Sequence, residues 1–99
     1  MRLTPAQIGV RMICGHRLPF VEPIELSLED RIRRGRETLV QIAGVDFEYD
    51  LQRWHDHLKL SRQGGYTWNR AIALPKVMDH AMTSEPWQQA VEALRRRGN

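Results

Sequence analysis

Apolar and polar residues along this 99-residue chain recur with the spacing of short amphipathic helices. The clearest example is Leu51, Trp54 and Leu58, which share one helical face because they are three and four positions apart. Gly44 is suited to end the helix before them, and Asp50 is suited to accept hydrogen bonds from the first N–H groups of the helix that they form. This stretch therefore predicts a helix, a turn and a second helix.

The same turn carries a family resemblance. The run Thr38-Leu-Val-Gln-Ile-Ala-Gly-Val-Asp-Phe-Glu-Tyr-Asp50, with Trp54 four residues later, resembles the helix end, turn and tryptophan helix of bacterial HEAT-like α-helical repeats. The family pattern is Leu-Thr-Gly-x-Asp-Phe-Gly-x-Asp, and this chain has Ala43 in place of Thr and Glu48 in place of Gly. The resemblance covers residues 38–58 and implies a scaffold or binding surface, with no catalytic residue. No self-similarity of about 30 to 45 residues accompanies it, so it does not extend to a repeat array.

Two helices are predicted before this turn. The first runs from Thr4, its N-cap, to about Cys14, and its inward-facing residues are expected to be Ile8, Met12 and Ile13. Residues 17–26 contain Pro19 and Pro23, which disfavour helical geometry in the residues before them, so an extended Pro-containing segment is predicted near the N-terminus.

The second of these helices is predicted from Ser27 to Ala43, since acidic residues in its first turn suit the positive end of the helix dipole. Its inner face is expected to contain Leu28, Ile32, Leu39 and Ile42. Gly35 lies in the middle of this helix, where glycine costs about 1 kcal/mol relative to alanine. We therefore expect another element to approach the helix closely at Gly35.

Shorter helices are predicted in the rest of the chain. The helix from Leu51 lasts to about Arg62, after which residues 63–66 break the pattern. Thr67 is expected to cap a short helix with Trp68, Ile72 and Leu74, and Pro75 should either kink that helix or begin a new one with Val77, Met78 and Met82 inward. The last helix, from about Ser84, is expected to bury Trp87, Ala90, Val91 and Leu94. Phe47 should be buried beside Trp54. Together these patterns predict a single all-α domain of four to six short helices over residues 1–99.

Composition narrows the class of protein further. The chain is 41% hydrophobic and 27% charged, which is typical of a soluble globular domain. Its apolar runs are too short to span a bilayer, and the first twenty residues lack the apolar core of a signal peptide, so no membrane partner is expected. Cys14 is the single cysteine and has no internal disulfide partner. We expect a cytoplasmic protein.

The residue types that carry metal and catalytic chemistry occur here without the spacing that such chemistry needs. His55 and His57 point about 200° apart on a helix and therefore do not chelate one ion, whereas His16 and His80 are free to approach in space. Asp46, Glu48 and Asp50 alternate like the start of a calcium loop, but the later glycine and glutamate of that motif are missing. No nucleophile motif is present. We expect no metal, no cofactor and no enzyme activity.

Two binding functions remain. The favoured one is a non-enzymatic protein-binding module, such as an adaptor, inhibitor or immunity-type protein, with contact residues Arg62, Tyr66, Trp68 and Arg70 around the Gly64–Gly65 loop. Trp87 and Met78 are further residues of the types found at interface centres. The alternative is a small basic nucleic-acid-binding protein, because the net charge is +3 and one arginine cluster could bind phosphates. Its members are Arg31, Arg33, Arg34 and Arg36.

Overall fold

Helices make up most of the described part of the chain. The computed structural model describes residues 4–16, 27–61, 63–66 and 74–97. They form the α-helices α1 (Pro5–Ile13), α2 (Leu28–Ala43), α3 (Leu51–Ser61), α4 (Lys76–Thr83) and α5 (Glu85–Arg96), with a 3₁₀ turn at Gln63–Gly65. No strand occurs among these residues, so the predicted all-α class is confirmed. The predicted extended segment at residues 17–26 and the predicted helix begun by Thr67 lie outside the described residues.

The starts of α1, α2 and α3 and the end of α2 are set by capping residues that the sequence predicts. Thr4 Oγ1 accepts a hydrogen bond from the Gln7 N–H at 3.3 Å, Ser27 Oγ accepts one from the Asp30 N–H at 3.2 Å, and Asp50 Oδ1 accepts one from the Arg53 N–H at 3.2 Å. Each bond satisfies a backbone donor that has no partner within its own helix. Gly44 ends α2 in the left-handed conformation, with φ of 74°. Ser84 precedes α5 without a side-chain capping bond.

The helices α1 and α2 pack closely against each other. Gly35 faces the last turn of α1 so closely that a Cβ atom at this position would lie 2.6 Å from the Ile13 Cα. The predicted close approach at Gly35 is therefore confirmed. Gly9 of α1 lies close to α2 in the same way, since a Cβ atom at this position would lie 2.9 Å from Leu39 Cδ2. The two helices approach each other at positions that have no side chain to hold them apart.

The core joins the facing sides of the helices. Its largest fully buried side chains include Trp54, Ile13, Ile32, Leu39, Leu58, Met78 and Leu94. All four inner residues predicted for α5 are buried, namely Trp87, Ala90, Val91 and Leu94. In α2, Ile32 and Leu39 are buried, and Leu28 and Ile42 pack against the core partly exposed. Apolar spacing thus located the core of most helices correctly.

Two of the predicted inward-facing residues are placed differently by the structure. Ile8 is only partly buried, whereas Met12, which is one turn later on the same side of α1, is buried as predicted, and Ala6, Val10 and Ile13 pack in the core. Met82 is 39% exposed, because it lies in the last turn of α4, where Met78 and Ala81 are the residues directed into the core. Pro75 is the residue that precedes α4, so of the two predicted alternatives, a kink or a new helix, the structure has the new helix.

The end of α1 is tied to two other helices. The indole Nε1 of Trp87 in α5 donates a hydrogen bond to the carbonyl of Ile13 at 2.8 Å, and Arg31 Nε in α2 donates one to the carbonyl of Gly15 at 3.1 Å. Carbonyls at a helix C-terminus lack partners in their own helix, so these bonds complete the end of α1. Trp87 is 8% exposed and therefore serves the core rather than an open contact surface.

Candidate functional site

The glycine turn of the predicted contact loop packs against the beginning of α1. Gly64 and Gly65 adopt left-handed φ angles of 65° and 74°, which side-chain-bearing residues rarely adopt. Thr4 Oγ1 donates a hydrogen bond to the Gly65 carbonyl at 3.0 Å. A Cβ at Gly64 would lie 3.1 Å from the Ala6 Cβ. The glycines therefore let the chain turn tightly against α1.

Tyr66 is buried, with 4% of its surface exposed. Its hydroxyl oxygen lies 2.6 Å from Nδ1 of His55, which is 1% exposed. Burial is the main cause that raises the pKa of Tyr66, with Cys14 as a second cause, and burial is the main cause that lowers the pKa of His55. A ring in this position stabilises the core and is not presented to a partner as the sequence predicts. Trp68, Arg62 and Arg70 lie outside the described residues, so their role in contact stays a prediction.

Met78, the other residue proposed from composition as an interface type, is fully buried. Cys14 is also buried, and burial raises its pKa to about 12 despite the opposing effect of Arg11. Because the thiolate is the reactive form of cysteine, this side chain is a packing residue at neutral pH.

The four arginines predicted to bind phosphate do not form one surface. Each residue in a helix is rotated by about 100° from the previous one, which distributes positions 31, 33, 34 and 36 around α2. Arg31 donates to the Gly15 carbonyl, and Arg33 forms an exposed ion pair with Asp30 at 3.4 Å. Arg34 is exposed and also makes interactions of its own. These four arginines are close in the sequence, but less of their positive charge lies on one face of α2 than that closeness suggests.

Arg36 has a structural role at the α2–α3 turn. Its Nε and one terminal nitrogen donate to the two carboxylate oxygens of Asp46 at 3.0 and 2.6 Å, and its other terminal nitrogen lies 3.4 Å from the Tyr49 hydroxyl. The Asp46 hydrogen bonds are the main cause that raises the Arg36 pKa, and the Arg36 hydrogen bonds are the main cause that lowers the Asp46 pKa. A guanidinium engaged by a carboxylate in this two-pronged manner must give up these bonds to bind a phosphate.

Asp46 and Asp50 also accept hydrogen bonds from backbone N–H groups of this turn and of α3. Asp46 accepts a further hydrogen bond from the Glu48 N–H at 2.7 Å, and Asp50 caps α3. His57 lies beside the Phe47 ring at a centroid distance of 5.3 Å, whereas His55 lies beside Tyr66. Within residues 4–16, 27–61, 63–66 and 74–97, no three His, Cys, Asp or Glu side chains come together as a metal site.

An exposed apolar residue marks the end of α3. Leu60 is 82% exposed, whereas Val45 and Met82, the other large apolar residues exposed in the described part of the chain, are 41% and 39% exposed. Leu60 lies two positions after the buried Leu58, which places it on the opposite, polar face of the helix. The sequence-based site prediction missed Leu60, although an apolar residue off the inner face of an amphipathic helix was the available signal.

Comparison with protein families, curated proteins and solved structures finds no match to this chain. The resemblance of residues 38–58 to HEAT-like repeats therefore stays a prediction. Among the described residues, no helix combines the length and the apolar character needed to cross a bilayer.

Proposed function

We propose that this chain is a non-enzymatic protein-binding module that contacts its partner at the C-terminal end of α3 and the loop that follows. The observation that carries the proposal is the 82% exposure of Leu60, which lies two residues before Arg62 and eight before Trp68, both predicted contact residues. Burying an exposed leucine side chain stabilises a complex by roughly 1.5–3 kcal/mol. An adaptor, an inhibitor or an immunity-type protein would use such a surface.

The structural roles of Cys14, His55 and Ser27 support binding rather than catalysis. Burial raises the pKa of Cys14, so its side chain is a thiol at neutral pH, and His55 forms a hydrogen bond with Tyr66 inside the core. Ser27 Oγ accepts from a helix N-terminus, where it fixes the start of α2. These side chains have structural partners that account for their positions.

The nucleic-acid alternative has less support from the arginine geometry. Arg36 is bound to Asp46, and Arg31 donates to the end of α1, which leaves Arg33 and Arg34 as the more exposed members of the cluster. Binding to phosphates would weaken steeply as salt rises, because neutralised phosphates release counterions. Absence of binding to DNA or RNA at about 50 mM salt would remove this alternative.

The test of the proposal uses the partner that co-purifies with the protein after nuclease treatment. Leu60→Asp is expected to abolish capture of this partner while the melting temperature changes little, since Leu60 is 82% exposed. Val45→Asp is the matched control, because it places the same charge at an exposed apolar position in the α2–α3 turn. Trp68→Ala is expected to lose at least about 2 kcal/mol of partner affinity. If Leu60→Asp and Val45→Asp capture the partner equally well, the α3 surface is not the contact site.

A further inference from the structure

A groove runs along α4 beside the end of α1. Its volume is about 590 Å³, and it is lined by His16, Lys76, Val77, Asp79, His80 and Thr83. This volume lies in the range of small-molecule sites, roughly 300–1,000 Å³. Residue His16 is separated from the others by more than half the chain, so folding alone brings them together. The sequence left open whether His16 and His80 come close in space, and the structure places both in the lining of this groove.

The groove gathers cationic and titratable nitrogen groups. Within the described residues, the side chains of His16, Lys76 and His80 make no hydrogen bond or ion pair. Arg11 in α1 and Arg31 in α2 also act electrostatically on His16. Asp79 is the single acidic residue in the described lining. The described lining therefore holds three nitrogen-bearing side chains, one from the residues after α1 and two from α4, and one carboxylate.

We propose that this groove binds a small organic molecule carrying a phosphate or sulfate group. His16, Lys76 and His80 would donate charge-assisted hydrogen bonds to the anionic oxygens, and Val77 offers an apolar wall to the organic part of the ligand. The site is lined by other residues than the α3 surface, so it is independent of the proposed protein-binding function.

Anion binding fits these residues better than metal binding. Two imidazoles with one carboxylate are a minimal ligand set, but Lys76 and the nearby Arg11 and Arg31 repel a cation. No three-residue metal cluster occurs in the described part of the chain. The same positive potential attracts an anion.

Binding should depend on pH through His16. Its pKa lies below the ordinary value of 6.5, first because of burial and then because of Arg11, His80 and Arg31. A bound anion offsets the repulsion from these cations and therefore favours the protonated ring. By thermodynamic reciprocity, protonation of His16 must strengthen anion binding by the same factor.

The test is a titration of the full chain with sulfate, followed by the NMR signals of the histidine rings at constant ionic strength. Sulfate is the suitable probe because its charge stays constant from about pH 5.5 to about pH 7.5, whereas that of phosphate changes. Sulfate is expected to bind at least about fivefold more tightly at about pH 5.5 than at about pH 7.5 and to raise the pKa of His16.

Matched variants separate a built site from general attraction. His16→Gln, His80→Gln and Lys76→Gln should each weaken binding at about pH 5.5 at least about fivefold, whereas Asp79→Asn should strengthen it by removing the acidic group of the described lining. Lys59→Gln is the control, because it removes a positive charge from α3, where Lys59 pairs with Asp56. If Lys59→Gln weakens binding as much as Lys76→Gln does, or if sulfate and chloride give the same His16 titration, the proposal is overturned.

A second arm distinguishes a free ion from an organic ligand. Phenyl phosphate is expected to bind more tightly than inorganic phosphate at the same pH, because its ring is able to pack on Val77. Equal affinities would overturn the part of the proposal that gives the ligand an organic body.

Discussion

Gly35 of α2 lies directly against the backbone of Ile13 in α1. A Cβ atom added to Gly35 would approach the Ile13 Cα to 2.6 Å and the Met12 carbonyl carbon to the same distance. Backbone atoms of a packed helix do not move aside as the end of a flexible side chain does. The contact therefore fixes how closely the first two helices approach, and with it the position of the core residues on both.

Gly35→Ala is expected to destabilise the protein by at least about 3 kcal/mol, because the added methyl group forces α1 and α2 apart. Gly44→Ala is the control. Gly44 has φ of 74°, and a Cβ added there would meet nothing within 4 Å, so alanine should cost only about 1 kcal/mol of backbone strain. Urea unfolding of both variants measures the difference. Similar losses in the two variants would show that helix approach does not depend on Gly35.

Trp54→Ala should cost roughly 3–5 kcal/mol, enough to unfold a small domain. The Trp54 ring is fully buried, its Nε1 donates to the Glu48 carbonyl at 2.9 Å, and the half-buried Phe47 meets it edge-on at a centroid distance of 5.0 Å. Trp54→Phe keeps an aromatic ring and should lose less, about 1–2 kcal/mol. Thermal melting provides the measurement, and an unchanged melting temperature for Trp54→Ala would refute this assignment.

Glu48→Gly should stabilise the protein by about 0.5–1 kcal/mol. Glu48 is the one non-glycine residue with positive φ in the described part of the chain, at 55°, and it is exposed. Glycine adopts this conformation without steric strain, although its greater freedom in the unfolded chain offsets part of the gain. Glu37→Gly, at an exposed position inside α2, is the control and should destabilise the protein. A loss of stability in Glu48→Gly would contradict the strain inferred at this turn.

Stability should fall as the pH decreases from about 7.5 to about 5.5. His55 and His16 have pKa values below the ordinary 6.5 in the folded protein, mainly because of burial. The unfolded chain therefore takes up protons at a higher pH than the folded one. Stability is fully present above about pH 6.5 and is lost as the pH falls through that value toward the folded-state pKa values.

Urea unfolding at a series of pH values measures this effect. The double variant His55→Phe with Tyr66→Phe removes both partners of the buried hydrogen bond, so neither is left without the other. It should show a smaller change in stability over the same pH range, and Tyr66→Phe alone should keep the change. If the double variant keeps the full change in stability with pH, that change does not come from the His55–Tyr66 pair.

Much of the fold could be predicted because its signals are local. Thr4, Ser27 and Asp50 each have an oxygen that satisfies a nearby N–H group, and Gly44 adopts a conformation that other residues avoid. These effects act within a few residues, so they can be recognised in the sequence. The inner faces of α2 and α5 follow from spacing for the same reason.

The site predictions were less successful because they depend on what lies opposite each residue. In the sequence, Tyr66 directly follows two glycines, and four arginines lie within the six positions 31–36. Both patterns are typical of contact surfaces. In the structure Tyr66 meets His55 inside the core and Arg36 meets Asp46, partners that are eleven and ten residues away in the chain. Leu60 is the opposite case. It is apolar, but its position two residues after the buried Leu58 places it on the exposed face of α3.

The sequence by itself determined the all-α class, most helix boundaries and the close approach at Gly35, because caps, helical period and the absence of a side chain are local properties. Only the tertiary structure decided which charges are paired, which aromatic rings are buried and that His16 and His80 line one groove. Those outcomes depend on the packing of helices that are distant in the chain. Packing is set by the sum of many weak contacts, and no single stretch of residues contains that sum.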